Sequence, residues 1–233
     1  MPHNIAYFVA EKTWTLPQKL SIFCGNIARI LMSYSVVNAV KNRITGHGRG
    51  WCFTPKHFLD LDSDTGVRST LSRLQRDKMI RRLAQGLYEY PRKHEDLGTL
   101  PPQVDEGAKA IAEKNGIRIQ PAGAYAANLI GLSEQIPGRI IFLTNGPSKK
   151  VKIGKLEIQF RTTTEKTMHP AGTKVGLVIQ ALRELGMGHI DDIARARVQR
   201  FLKGTTRQEL QKNLKYAPQW VRAIVFDIMK GSK

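Results

Sequence analysis

The sequence predicts an α+β protein built from an N-terminal winged helix-turn-helix DNA-binding unit, residues 32–97, and a mixed α+β unit, residues 98–233. The first unit is predicted from three helical segments followed directly by two basic, alternating strands. The second is predicted from three short strand-like runs, expected to form a small antiparallel meander, followed by a helical C-terminal part. Residues 1–31 lack a clear amphipathic pattern, so we expect a loose extension or a true translation start at Met32.

The composition is strongly basic. The 233 residues include 37 Lys and Arg against 19 Asp and Glu, a formal net charge of +18, and 41% of the residues are hydrophobic. Such an excess favours a polyanionic partner, most often nucleic acid, although a ribosome-associated or merely basic protein has the same signature. Two cysteines cannot form a disulfide framework, and no run of about 18 apolar residues is present. We therefore expect a cytoplasmic protein with no membrane partner.

Spacing and capping predict the first two helices. Four apolar residues recur three or four positions apart and indicate a helix over about 33–45: Val36, Val37, Val40 and Ile44. A glycine-rich turn follows. Thr54 is then a typical N-cap and Pro55 a typical first helical residue, so a short helix is expected at Lys56–Leu59.

The third helix and the hairpin carry most of the patterned charge. The DSDTG segment is expected to cap a helix over about 66–77, whose apolar residues fall on one face. Alternating residues at 79–83 and 87–90, separated by a turn at 84–86, predict a β-hairpin. Residues 67–93 hold eight basic residues against two acidic ones, so 8 − 2 gives a net charge of +6.

This helix and hairpin are the predicted contact with double-stranded operator DNA. An α-helix fits the major groove, and side chains near its exposed start reach base edges, whereas later cations meet phosphates. The base-reading candidates are Arg68, Ser69 and Ser72; the phosphate-contacting candidates are Arg73, Arg76 and Lys78, with Arg81, Arg82 and Gln85 at the hairpin, along the backbone or in the minor groove. Three alternatives stay open: Arg73 as an internal strut, a merely solvated basic face, and a winged helix that contacts protein.

The run LSRLQRDKMIRRLAQGLYEYP at 71–91 resembles the N-terminal region of AbiE-type antitoxins, with Gln85 where an arginine is common. The run QPAGAYAANL at 120–129 is similar to a branch often grouped with them. The resemblance covers about residues 32–215. It implies a transcriptional regulator of a type IV toxin–antitoxin operon, active in abortive infection and phage defence. It further implies that the second unit counteracts a nucleotidyltransferase-type toxin, a functional partner, without a stable complex.

The second unit, after a proline-containing linker, is predicted element by element. A helix at 104–114 stops at Asn115-Gly116 and precedes a short strand at 117–119 and a small-residue helix at 122–132. Three strands are expected at 139–144, 150–153 and 156–162, and four helices after them. Two groups have open roles. The first group is expected either to line a binding site or to serve as core and cap residues: Tyr125, Asn128 and Ser133. The second group is expected either to contact phosphate or to protect a strand edge: Lys149, Lys150, Lys152 and Lys155.

No motif predicts catalysis, a cofactor or a metal. Asp60, Asp62 and Asp64 begin like a calcium loop, but Thr65 and Leu71 stand where glycine and glutamate are needed, so we interpret them as turn and cap residues. We expect no enzymatic activity. Two other functions stay open: a nucleic-acid-processing enzyme or restriction accessory subunit, favoured by converging carboxylates, and a ligand-sensing repressor without a toxin, favoured by an apolar pocket in the second unit.

Overall fold

The computed structural model describes residues 36–135, 137–154 and 156–230. The predicted N-terminal extension, the start at Met32 and the side chain of Lys155 lie outside these residues. Within them the protein is a mixed α+β chain of helices and small sheets. No helix in these ranges has the length and apolarity needed to cross a lipid bilayer.

The N-terminal unit contains the predicted helices and hairpin, with one additional strand. Helix α1 covers 36–47 and a 3-10 helix covers Pro55–Phe58. The remaining elements are strand β1 (Cys52–Phe53), helix α2 (Asp64–Arg76) and strands β2 (Arg81–Ala84) and β3 (Leu87–Glu89). Strand β3 lies between β1 and β2 and pairs antiparallel with both. The hairpin therefore supplies the central strand and one edge strand of a three-stranded sheet.

One apolar core holds these elements together. Phe53 and Phe58 pack edge to face, with ring centroids 5.4 Å apart, and the apolar face of α2 covers them. The buried members of this core are Val40, Ile44, Phe53, Phe58, Val67, Leu71, Leu74, Ile80 and Tyr88. Because α2 places its apolar residues here, its opposite face is left to solvent.

The linker and the start of the second unit contain short elements. Strands β4 (Lys93–His94) and β5 (Gly98–Thr99) form a small hairpin within the predicted linker. Helix α3 (Val104–Asn115) ends at Gly116, whose φ of 62° is the left-handed conformation that glycine tolerates. The next strand, β6, runs over Ile119–Ala122, two residues later than predicted, and helix α4 over Gly123–Leu129.

The predicted antiparallel meander is wrong. Strands β7 (Ile140–Thr144), β8 (Lys149–Ile153) and β9 (Leu156–Thr162) form a sheet with β6 in the order β6-β7-β9-β8, in which β7 and β9 are parallel. The reason is burial: β9 contributes the fully buried Ile158 and Phe160 to the centre, whereas the lysine-rich β8 stays at the edge. Neighbouring strands in sequence therefore do not all pair.

The helical C-terminal part agrees with the predicted caps. Asp191 caps one helix through the amide of Ala194, and Thr206 with Glu209 forms the expected capping box of the next. The helices are α5 (Glu165–Met168), α6 (Lys174–Leu185), α7 (Asp192–Phe201), α8 (Arg207–Leu214) and α9 (Gln219–Lys230). Helices α6 to α9 share a core with α4.

A third core crosses the boundary that we placed near Gly98. Cys52 and Leu87 from the N-terminal sheet pack with Ile111 of α3 and with Phe142 and Phe160 of the second sheet. The two units are therefore in direct apolar contact, which strand β1 and the β2–β3 hairpin of the N-terminal unit both make.

Candidate nucleic-acid interface

Helix α2 has one buried and one exposed face. Ser63 caps it by accepting a hydrogen bond from the amide of Gly66 at 3.2 Å. Val67, Leu71 and Leu74 are fully buried. The predicted contact residues on this helix are all exposed: Arg68, Ser69, Ser72, Arg73 and Arg76. The helix therefore presents a row of cations and hydroxyls to solvent.

Arg68 is held near the start of this helix by an ion pair. Its Nε donates to Asp64 at 2.6 Å, one helical turn earlier, and both side chains are more than half exposed. The hydrogen bond to Asp64 is the main cause of the raised pKa of Arg68, and the Tyr88 phenol of β3 adds to it. Such an exposed pair contributes little to stability, so a phosphate or a base can replace Asp64 at small cost.

Arg73, Arg76 and Lys78 lie toward the end of the helix and just beyond it. Within the described part of the chain, none of their side chains forms an ion pair or a hydrogen bond, and all three are exposed. The interpretation of Arg73 as an internal strut is therefore not what the structure shows. Lys78 has a φ of 55°, a left-handed conformation that a lysine adopts only at a cost.

Arg81 is the hairpin residue that the structure turns inward. Its Nε donates to Glu89 at 2.6 Å and its Nη2 to the carbonyl oxygen of Leu100 at 2.7 Å. Glu89 is fully buried, and its other oxygen, Oε1, has no hydrogen-bond partner in the described residues. Arg81 is thus the partner of a buried carboxylate. Neighbouring Arg82 is exposed and donates to the carbonyl oxygen of Ala84 at 3.3 Å.

The turn of the hairpin lies against the second unit. It borders a cavity of about 130 Å³ whose lining includes Gln85, Gly86 and Leu87 on one side and Lys114, Asn115 and Lys149 on the other. We call this cavity the hairpin-turn pocket. Gln85 itself is exposed. Lys114 was not predicted from the sequence, because a single lysine in the last turn of a helix has no distinctive local signal.

The lysines of β8 are divided between the two faces of the sheet. Lys149 is half-buried on the face of the hairpin-turn pocket, with its Nζ 5.2 Å from the ring centre of Phe160. Lys150 and Lys152 are exposed and, by the alternation of a strand, point to the opposite face. Lys150 pairs with Glu157 at 3.5 Å. The three lysines therefore have different surroundings, and Lys149 is the one that lies on the face of the hairpin-turn pocket.

The acidic residues before α2 have structural partners. Asp60 binds Arg43 through two hydrogen bonds, which lower the pKa of its carboxyl. Asp62 accepts from the amide of Ser63 at 2.7 Å, and Asp64 holds Arg68. Across the described ranges, no group of three or more His, Cys, Asp or Glu side chains is arranged to hold a metal ion.

The polar residues around α4 also serve the fold. Burial raises the pKa of the Tyr125 phenol above its usual range, and the hydrogen bond that its hydroxyl donates to Asp105 at 2.7 Å raises this pKa further. Asn128 donates to the carbonyl oxygens of Ser133 and Gln135, both at 3.2 Å. These contacts agree with the predicted core and cap roles of Tyr125 and Asn128 rather than with a ligand site.

An apolar cavity of about 380 Å³ lies in the second unit between its two cores. Ile119, Pro121 and Phe142 line it from the sheet side, and Leu177 and Phe201 from the helical side. Cavities of this size accept small ligands.

A protein-family model matches most of the chain. The match covers residues 39–210 and carries the description "Family of unknown function (DUF6088)". Since it spans more than half of the 233 residues, the chain belongs to this family. A search of curated proteins found no match.

Proposed function

We propose that this DUF6088 protein is a winged-helix transcriptional regulator that binds operator DNA with helix α2. The observation that carries the proposal is the exposed face of α2, on which Arg68, Arg73 and Arg76 stand beside two serines while the opposite face is buried. The order of helix, strand, short helix, helix and hairpin supports a winged helix.

Different parts of the exposed face suit different kinds of DNA contact. Arg68 and Ser69 lie in the first half of α2 and Ser72 just past its midpoint, and these side chains suit contacts with base edges in the major groove. Arg73, Arg76 and Lys78 lie later and suit phosphate contacts, which position the protein without reading sequence. Arg82 and Gln85 extend this surface along the hairpin. Arg81 is committed to Glu89, so we assign it no direct DNA contact.

We further propose that the protein is an AbiE-type antitoxin that represses its own operon in the cytoplasm. The support is the resemblance of residues 71–91 and 120–129, which lie in α2, the hairpin and the region of β6 and α4. In this proposal the second unit counteracts a nucleotidyltransferase-type toxin. Co-expression with the product of a neighbouring toxin gene tests this part: rescued growth supports it, and growth arrest that persists contradicts it.

Gel-shift titrations with the DNA upstream of the operon test the DNA-binding part. Arg68→Ala is expected to lose about 1–3 kcal/mol of operator affinity, because a base-reading arginine is removed. Arg73→Ala is expected to lower the salt slope of binding by about 1, because one phosphate contact is removed. Lys152→Ala, on the far face of the second sheet, is the matched control. Unchanged shifts for both arginine variants would overturn the assignment to α2.

A second candidate function is a ligand-sensing repressor without a toxin. The apolar cavity between the sheet and helices α6 and α7 favours it. In that case, removal of bound apolar compounds by solvent extraction would change operator affinity, and Leu177→Trp, which fills the cavity, would abolish the change. Equal operator affinity before and after extraction would count against this function.

A further inference from the structure

Two lysines from two different elements lie beside the turn of the β2–β3 hairpin, and a third lysine contacts the backbone of one of them. Lys114 belongs to α3 and Lys149 to β8, and both line the hairpin-turn pocket. Lys56, in the 3-10 helix, reaches the carbonyl oxygen of Lys114 at 3.5 Å. These positions are far apart in the sequence, so only the packing of the hairpin against the second unit brings the charges together.

The positive charges in this pocket have no acidic counterpart. None of the side chains that line it is a carboxylate, and among the described residues neither Lys114 nor Lys149 forms an ion pair. Glu113, the nearest acidic residue in sequence, binds His57 at 2.9 Å. Burial lowers the pKa of the Lys149 ammonium, and the charge of Lys114 lowers it further. The fold therefore holds like charges together without internal compensation.

The remaining lining adds hydrogen-bonding groups next to these charges. Gly86 has a φ of 67°, and a side chain at this position would meet the Lys114 Nζ at 3.2 Å, so the ammonium lies directly against the turn. Gln85 and Asn115 contribute amides at the rim. Convergent ammonium and amide groups around a small cavity are suited to a compact oxyanion.

We propose that the hairpin-turn pocket is a phosphate-binding site formed by Lys114 and Lys149 together with the turn at Gln85-Gly86. In the setting of the proposed function, on which this reading of the site rests, the phosphate belongs to the DNA backbone next to the hairpin. The second unit then contributes directly to DNA binding. A free phosphorylated small molecule presents the same chemistry and is the other possible source.

Salt-dependent binding of a random-sequence duplex tests the backbone source, since phosphate contacts are independent of sequence. Lys114→Gln and Lys149→Gln are each expected to lower the salt slope by about 1, so the fall in affinity across a fourfold rise in salt shrinks about three- to fourfold. Lys152→Gln makes the same charge change on the opposite face of the sheet and is expected to keep the wild-type slope.

Titration of the wild-type protein with inorganic phosphate at constant ionic strength tests the site itself. A saturable shift of the Gly86 amide resonance that disappears in Lys114→Gln supports a phosphate site. If the Gly86 shift saturates with phosphate and the lysine variants keep the wild-type salt slope of duplex binding, the source is a free phosphorylated ligand. If the variants lower the salt slope and the phosphate titration does not saturate, the source is the DNA backbone. If neither effect occurs, the proposal is overturned. A wild-type protein that binds no duplex overturns the proposed function, while the phosphate titration still decides the site.

The thermal midpoint separates binding from folding. Because the charged form of Lys149 is disfavoured in the folded protein, its contribution is unfavourable below the lowered pKa and disappears as pH rises above it. Lys149→Met keeps the aliphatic stem and removes the charge, so we expect a midpoint at or above that of the wild type together with weaker duplex binding. A lower midpoint with unchanged binding would make Lys149 a structural residue and contradict the proposal.

Discussion

Helix α2 and the β2–β3 hairpin are both basic in sequence, yet they use their arginines differently. On α2, Arg73 and Arg76 are exposed and make no ion pair within the described residues. On the hairpin, Arg81 pairs with the buried Glu89 and the Leu100 carbonyl oxygen. The helix therefore leaves its charge exposed to solvent, whereas the hairpin uses part of its charge to join the two units.

This difference separates stability from binding along one short stretch of chain. Removal of an exposed arginine from α2 should affect DNA affinity and leave the fold nearly unchanged. Removal of Arg81 should affect the fold first, because a buried carboxylate would lose its partner. Within the hairpin, the turn differs from Arg81, because Gly86 lies next to Lys114 of the second unit, in the proposed phosphate site.

The largest expected effect comes from the inward arginine of the hairpin. Arg81→Met leaves the fully buried Glu89 without its charged partner, which should lower the free energy of unfolding by about 3 kcal/mol. Urea denaturation measures this loss. A double variant, Arg81→Met with Glu89→Leu, should recover most of it, because the uncompensated charge is then absent.

Arg82→Met is the matched control for this prediction. It is the next residue of the same strand, but its side chain is exposed, so the change in unfolding free energy should stay within about 0.5 kcal/mol. Equal losses for the two variants would remove the distinction between inward and outward arginines on the hairpin.

A smaller effect is expected at the start of α2. Ser63→Ala removes the hydroxyl that accepts from the Gly66 amide, and should cost about 1 kcal/mol of unfolding free energy. Amide hydrogen exchange should increase first in the turn that carries Arg68. Thr65→Ala, exposed in the same turn, is the control and should change little. Loss of stability without faster exchange in this turn would argue that Ser63 acts elsewhere than at the cap.

The smallest effect is expected at the junction of the two regions. Lys78 has a left-handed backbone conformation, so Lys78→Gly should raise the free energy of unfolding by about 0.5–1 kcal/mol. The same change removes a proposed phosphate contact and should lower the salt slope of DNA binding by about 1. Thermal unfolding and gel shifts measure the two effects separately. A stabilised variant with unchanged DNA binding would remove Lys78 from the interface.

Local signals were sufficient for α2 and for the helix caps. The apolar spacing of Val67, Leu71 and Leu74 and the capping box at Thr206 are confirmed, because both depend on residues within one or two turns. By contrast, the opposite orientations of Arg81 and Arg82 depend on which face of the hairpin is covered. Arg81 turns inward because two acceptors lie there: the carboxylate of Glu89 on the partner strand and the carbonyl oxygen of Leu100.

The sheet order and the hairpin-turn pocket could not be predicted either, because both depend on contacts between segments that are distant in the sequence. Strands β7, β8 and β9 were predicted to within a residue, but their order places β9 beside β7 and leaves β8 at the edge. That order decides which lysines of β8 face the hairpin. Lys114 and Lys149 then meet through contacts between distant segments, which no spacing within the sequence indicates.

The most direct test of the account is a map of backbone amide shifts in the isotope-labelled full chain, titrated with the DNA upstream of the operon. We expect the largest saturable shifts on the exposed face of α2, at Arg68, Ser69, Ser72 and Arg73, with a further shift at Gly86. Saturable binding that leaves the α2 amides unchanged and perturbs only the helices α6 to α9 would contradict it.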